Sequence, residues 1–309
     1  QAWWGDGGLL VVGGYERERR WRHAWALDVD APTPPRKIFD LSANDRYGSP
    51  GWPVLRTRPD GTRVLHQDGD AIFLSGDGAT PSGDRPFLDR FSLRTLQAER
   101  LFRSDASGLE QIVDVLDARG RRFLTRKESP RDPPNYVVRR LGRRDRAAAA
   151  GEAAWTSSAR PVTSFADPTP QLRGITKRIV TYERADGVPL SFTLYLPPGH
   201  VEGTRLPTVA WAYPLEFSDP ATAGQVSGSD REFTRLSGTS PLFFLLAGYA
   251  VLMDVTMPVI GDPETAYDTF IEQLVASARA AVDEAVEMGV TDPFRVGVGG
   301  HSHGALMTA

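Results

Sequence analysis

The chain has 309 residues, 40% of them hydrophobic and 24% charged, with a formal net charge of -3. This is the composition of an ordinary folded globular protein, and a slightly acidic balance gives no electrostatic case for a nucleic acid or an anionic membrane surface as partner. The absence of cysteine excludes disulfides, thiolate metal sites and a cysteine nucleophile, while leaving the compartment, cytoplasmic or exported, open.

The length suits one large domain or two of medium size. The chain opens on Gln1 rather than methionine, so an upstream segment is expected to be missing from it. The longest apolar run, residues 241–253, is broken by Gly248 and is too short to span a bilayer.

The first half reads as β-structure. Ala2-Trp3-Trp4 and Leu9-Leu10-Val11-Val12 flank the turn Gly5-Asp6-Gly7-Gly8. Residues 54–58 and 62–66 flank Pro59-Asp60-Gly61, and residues 113–116 and 122–125 flank Ala118-Arg119-Gly120. Each is a hairpin pattern, two apolar runs about a glycine-containing turn. The turns recur roughly every 55 residues, near the spacing of propeller blades, with a β-sandwich as the structural alternative. The basic run Arg139-Arg140-Leu141-Gly142-Arg143-Arg144 is expected to be a solvated loop. Residues 145–170, rich in alanine, serine and proline, are expected to form a crossing segment.

The second half changes character. Residues 179–182 and 191–196 flank Ala185-Asp186-Gly187, a further hairpin, and residues 207–213 read as a buried strand ending at Tyr213. Ser240 is placed to cap a short helix that ends at Gly248, ahead of the strand 249–253. Asp254 then ends that strand and reads as a polar strand-end residue. Asp262 as N-cap, Pro263 and Glu264 predict a long helix closed by Gly289. Its expected apolar face is Tyr267, Phe270, Ile271, Leu274, Val275, Ala278, Val282 and Val286. The alternation of strands and helices implies right-handed crossovers and a mostly parallel, helix-covered sheet with its site beyond the strands' carboxyl ends.

The last strand, Arg295-Val296-Gly297-Val298-Gly299, runs into Gly300-His301-Ser302-His303-Gly304. The pattern is G-x-S-x-G between a strand and a helix, the context of a nucleophile elbow. The turn exposes the serine hydroxyl, the flanking glycines permit close backbone approach, and the amide of His303 points at the developing oxyanion. A five-residue pattern with three fixed positions also arises by chance; the strand before it and the helix after it favour catalysis.

Several segments together carry a resemblance. They include Arg85-Pro86-Phe87-Leu88-Asp89-Arg90, Leu124-Thr125-Arg126-Lys127-Glu128-Ser129-Pro130 and Pro133-Pro134-Asn135-Tyr136. Pro170-Gln171-Leu172-Arg173-Gly174, Ala185-Asp186-Gly187-Val188-Pro189-Leu190, Trp211-Ala212-Tyr213-Pro214 and Ala223-Gly224-Gln225-Val226 follow, with Glu272-Gln273-Leu274-Val275-Ala276-Ser277-Ala278 and the elbow itself. In these the chain resembles the prolyl oligopeptidase family of serine peptidases, in its glutamyl endopeptidase-like branch. The resemblance implies a partial β-propeller (its C-terminal blades) over residues 1–165, followed over 166–309 by the N-terminal part of an α/β-hydrolase domain truncated after the elbow. It implies that Ser302 is the acyl-forming nucleophile, that Tyr213 is the tyrosine whose hydroxyl helps bind the oxyanion, and that peptides are the substrates. His303 departs from the branch, which has an aromatic residue such as tyrosine there; the oxyanion role uses only its backbone amide.

A serine nucleophile needs a base and an orienting carboxylate, in this fold following the serine in chain order. Both are therefore expected after Ala309, and none of His23, His66, His200, His301 and His303 is expected to be the base. The chain is read as an internal fragment, inert by itself. No cofactor, metal, nucleic acid or membrane is expected to take part, and the oligomeric state stays open. The rival readings are an acylaminoacyl-releasing enzyme or esterase on the same scaffold, separated only by substrate profiling, and a non-catalytic propeller binding protein with a degenerate hydrolase domain, which a missing downstream acid or histidine would favour.

Overall fold

The structure is a computed structural model that describes residues 1–31 and 33–309. The chain divides into two compact units, the first formed by residues 1–79, 84–166 and 231–233, the second by 80–83, 167–230 and 234–309.

The first unit is built from antiparallel sheets taken almost in chain order. β1 (Ala2–Trp4), β2 (Leu9–Glu16), β3 (Trp21–Asp28) and β4 (Arg36–Ser42) form the first, a simple meander. The second joins β5 (Trp52–Pro53), β8 (Gln67–Asp68), β9 (Ala71–Gly76), β10 (Phe87–Ser92) and β11 (Ala98–Arg103), while β6 (Leu55–Thr57) and β7 (Arg63–Leu65) make a separate hairpin. The third is again a meander, of β12 (Leu109–Val115), β13 (Arg122–Glu128), β14 (Asn135–Arg144) and β15 (Trp155–Pro161). The three predicted hairpins are all present. Consecutive sheets share cores. Val11, Ala24, Ala26 and Ile38 of the first pack with Ile72, Leu74 and Phe91 of the second. Phe73, Leu88, Leu101 and Phe102 of the second pack with Val115, Phe123 and Leu141 of the third.

Two expectations about this half fail. The basic run 139–144 is not a loop but the end of β14. Arg139 lies along the sheet and donates to buried Glu110, which also accepts from Thr125 Oγ1 at 2.6 Å. A buried carboxylate holds the arginine in place, a partner invisible from the arginine run itself. Likewise the supposed crossing segment contains β15, paired along β14 from Val137↔Pro161 to Arg144↔Trp155.

The second unit is a mixed sheet in the order β16-β17-β19-β18-β20: β16 (Thr176–Glu183), β17 (Pro189–Leu196), β18 (Leu206–Phe217), β19 (Ala250–Ile260) and β20 (Thr291–Gly299). β18 is parallel to both β19 and β20, whereas β16 and β17 join antiparallel. The sheet is therefore half antiparallel rather than mostly parallel, because the hairpin about Ala185-Asp186-Gly187 supplies its first two strands. Arg184 ties that turn down, donating to both Asp186 oxygens at 2.8 Å and to Ser277 Oγ at 3.1 Å.

One sheet face packs on α2 (Phe270–Glu287), through Leu252, Val255, Met257, Leu274, Ala281 and Ala285. The predicted apolar stripe is shifted. Small residues of α2 outside that stripe, Ser277, Ala281 and Ala285, are buried, while Ile271 and Val275 of the predicted stripe remain 71% and 56% exposed. Small side chains let helix and sheet backbones approach; larger ones flank that line. The helix also starts later than predicted. Asp262 accepts from the Glu264 amide and closes a turn, a 3-10 segment covers Ala266–Thr269, and α2 begins at Phe270. Gly289, at φ 74°, ends it as expected. The short helix after Ser240 is 3-10 throughout, with Ser240 Oγ accepting from the Leu242 amide and Gly248 left-handed at φ 80°. Between β18 and that helix, α1 (Pro220–Ala223) is capped by Asp219, whose carboxylate accepts from the Thr222 amide at 2.9 Å.

Candidate active site

The elbow forms where β20 gives way to α3 (His303–Thr308). Ser302 occupies the turn at φ 55°, ψ -120°, a conformation non-glycine residues rarely adopt, and its side chain is exposed. Such strain persists only where the surroundings enforce it. The enforcing contacts are visible. A Cβ on Gly300 would lie 2.6 Å from the carbonyl oxygen of Ala212 and 2.5 Å from the Gly304 backbone. One on Gly304 would collide with the same Ala212 oxygen. The two glycines thus let α3 rest directly on the central strand β18. The Gly304, Ala305 and Leu306 amides then bond to the carbonyls of His301 and Ser302 at 2.8–3.2 Å, closing the first turn.

The His303 amide lies at the start of that turn. Among the described residues it has no acceptor, so it is available to an oxygen outside the backbone. Its imidazole is held between two rings, stacked on Phe270 at 5.6 Å and 14° and edge-on to Tyr213 at 5.8 Å and 82°. Tyr213, on β18 opposite Thr256 of β19, is 46% exposed, and its hydroxyl has no hydrogen-bond partner among the described residues. Tyr213, His303 and the serine turn are therefore brought together where α3 rests on β18, and the His303 ring is part of a wall rather than a free side chain. Phe270 was legible only as a member of a helix face; nothing in the sequence pointed it at His303. Gln273, one turn along α2, fixes the approach by bonding both the Ile260 amide and the Ile260 carbonyl, at 2.9 and 3.0 Å.

Asp254 is not at a strand end. It sits inside β19 at a bulge against β18, between the pairs Ala210↔Leu252 and Ala212↔Val255, with φ 53°. Its side chain is exposed at the sheet surface, while partial desolvation of the carboxyl pushes its pKa above the usual range, with no cation beside it. The remaining histidines are placed structurally. His66 is buried, its ring nitrogen 3.0 Å from the Asp117 carbonyl, and burial lowers its pKa. His23 lies between Glu16 and Asp40. No hydrogen bond joins any histidine to Ser302 among the described residues. No group of three histidines or carboxylates among them is placed to hold a metal ion, and no helix is long and apolar enough to cross a membrane.

No family model matches the chain. Two curated plant proteins do, each 37% identical over 327 residues: "Probable glutamyl endopeptidase, chloroplastic" of Oryza sativa subsp. japonica and its namesake in Arabidopsis thaliana. The chain is similar in sequence to these two probable glutamyl endopeptidases. The alignment takes in all of this chain and 33% of either plant protein, so the chain spans about a third of the length of these relatives. The resemblance read from the motifs is borne out. Solved structures agree on the fold: the apo AtxE2 isopeptidase (TM-score 0.54, 18% identity, 97% of this chain and 41% of that one) and Porphyromonas gingivalis dipeptidyl peptidase 4 (0.54, 14%, 97% and 44%). A structure from a study of two prolyl endopeptidases adds a third (0.52, 14%, 99% and 46%). The chain thus shares its fold with these solved structures.

Proposed function

We propose that the whole protein is a serine peptidase whose nucleophile is Ser302. The three antiparallel sheets are consecutive blades of a β-propeller over residues 1–165, and the mixed sheet over 166–309 is the first part of an α/β-hydrolase domain. The observation that carries the reading is the strained Ser302 turn, seated on Ala212 by two glycines, with an unpaired amide at His303. Ser302 Oγ attacks the peptide carbonyl while a histidine base takes its proton. The His303 N–H and the Tyr213 hydroxyl donate to the oxyanion. Collapse breaks the C–N bond, the amine leaves with the proton, and water hydrolyses the acyl ester by the reverse route. The histidine and its carboxylate belong to the remainder of the whole protein. The names of the relatives support a preference for glutamate before the cleaved bond.

The test uses the full-length protein and fluorogenic peptides with Glu, Pro or Ala before the cleaved bond. Peptide hydrolysis that survives Ser302→Ala refutes the nucleophile. Equal rates on the three peptides refute the acidic preference. Turnover of esters without peptides favours the esterase reading instead.

A further inference from the structure

The first two sheets of the first unit leave space between them. β2 and β3 set Gly13 directly opposite Ala24, with the Trp3 ring lying over Gly13. Both small residues line a cavity of about 360 Å³ walled mainly by Trp3, Val11, Ile38, Phe39 and Trp52. Arg22, two residues before Ala24 on the same strand face, stands at its mouth and also lines an adjoining cleft of about 580 Å³.

The Arg22 guanidinium lies 3.8 Å from the centre of the Trp52 ring, and Trp52 is in turn 6.5 Å from Trp3. Other partly buried arginines of this unit have acidic partners: Arg56 and Arg58 share Asp6, Arg90 holds Asp68 and Arg100 holds Asp89. Arg22 has neither an ion pair nor a side-chain hydrogen bond among the described residues. Half-buried, it is disfavoured as a cation by desolvation. A partly desolvated cation without a counter-charge is costly to the fold, and an anion arriving from outside relieves that cost. A guanidinium held over an indole has its N–H fork restricted in orientation, and that fork matches a carboxylate through two parallel bonds. The cavity beside it is apolar, so the same ligand must carry an apolar side chain.

We propose that Arg22 on Trp52 is a carboxylate-binding subsite for peptides, with the adjoining cavity taking an apolar side chain of the same peptide. The carboxylate comes from a peptide C-terminus or from an acidic side chain. The proposal does not rest on the role of Ser302.

Titration of the full-length protein, followed by calorimetry and tryptophan fluorescence, tests it with three peptides: acetyl-Ala-Ala-Phe as the free acid, the same peptide as its amide, and acetyl-Phe-Glu-Ala-amide. The free acid should bind at least 10-fold tighter than the amide, with Arg22→Gln abolishing that difference and Trp52→Leu weakening the acid. Tight binding of the glutamyl amide identifies the side-chain source; tight binding of the free acid alone identifies the C-terminus. Equal binding of all three peptides, no binding of any peptide at millimolar concentration, or a preference for the carboxylate-bearing peptides that survives Arg22→Gln overturns the proposal. If Arg22→Gln does not fold, the acid-amide comparison on the unaltered chain and Trp52→Leu decide it.

Discussion

Gly300→Ala isolates the contact that holds the serine turn. The new Cβ would stand 2.6 Å from the Ala212 oxygen, where ordinary contact begins at 3.4 Å, a deficit of about 0.8 Å. Both obstacles are backbone, so no side chain can swing aside. β18 is locked between β19 and β20, with Ala210 paired to Leu252 and to Val298 and Trp211 to Gly299. The six residues of α3 must yield instead. Overpacking of this kind costs about 1–3 kcal/mol, and, confined to α3, it corresponds to an increase of roughly 5- to 150-fold in amide exchange there. The assay is hydrogen exchange at the Gly304, Ala305 and Leu306 amides, whose acceptors are His301 and Ser302. The control is Gly297→Ala, where an added Cβ meets nothing within 4 Å. Exchange within twofold of the unaltered chain for Gly300→Ala, or an equal rise in both variants, would refute the steric account.

Three further outcomes are expected. Asp254→Asn should raise thermal stability at pH 7 only slightly, because a carboxyl whose folded pKa is raised destabilises the fold once ionised but solvent screens the effect at this exposed residue. The gain should vanish as pH falls through the ordinary carboxylate range, where both forms are neutral; a gain that persists at pH 3 means strain rather than charge. Glu110→Ala should cost about 3–5 kcal/mol in urea unfolding, since it strands Arg139 beside a buried sheet face, and a loss under 1 kcal/mol contradicts the pairing. His303→Tyr in the full-length protein should keep peptidase activity within about threefold, because the backbone amide and an aromatic ring on Phe270 both remain; a hundredfold loss assigns the imidazole a role of its own.

Local patterns were legible in the sequence wherever they rest on near neighbours. The hairpins about Gly61, Gly120 and Gly187, the Ser240 and Gly248 caps and the Gly289 stop each depend on a few consecutive residues and are found where expected. Ser302 stood out because strand, glycines and helix follow one another directly. What failed depends on distant partners. Arg139 reads as solvated until Glu110, 29 residues away, is beside it. Asp254 reads as a strand end until the bulge against β18 is in place.

The sequence by itself determined the turns, the caps and the elbow, because each is decided by φ preferences and hydrogen bonds within a few residues. Only the tertiary structure decided which side chains share the site. Phe270 and Tyr213 both meet the His303 ring because the helices α2 and α3 converge with the strand β18, and Arg22 meets Trp52 because two sheets pack. Such meetings are set by packing between elements far apart in the chain, which no local periodicity records.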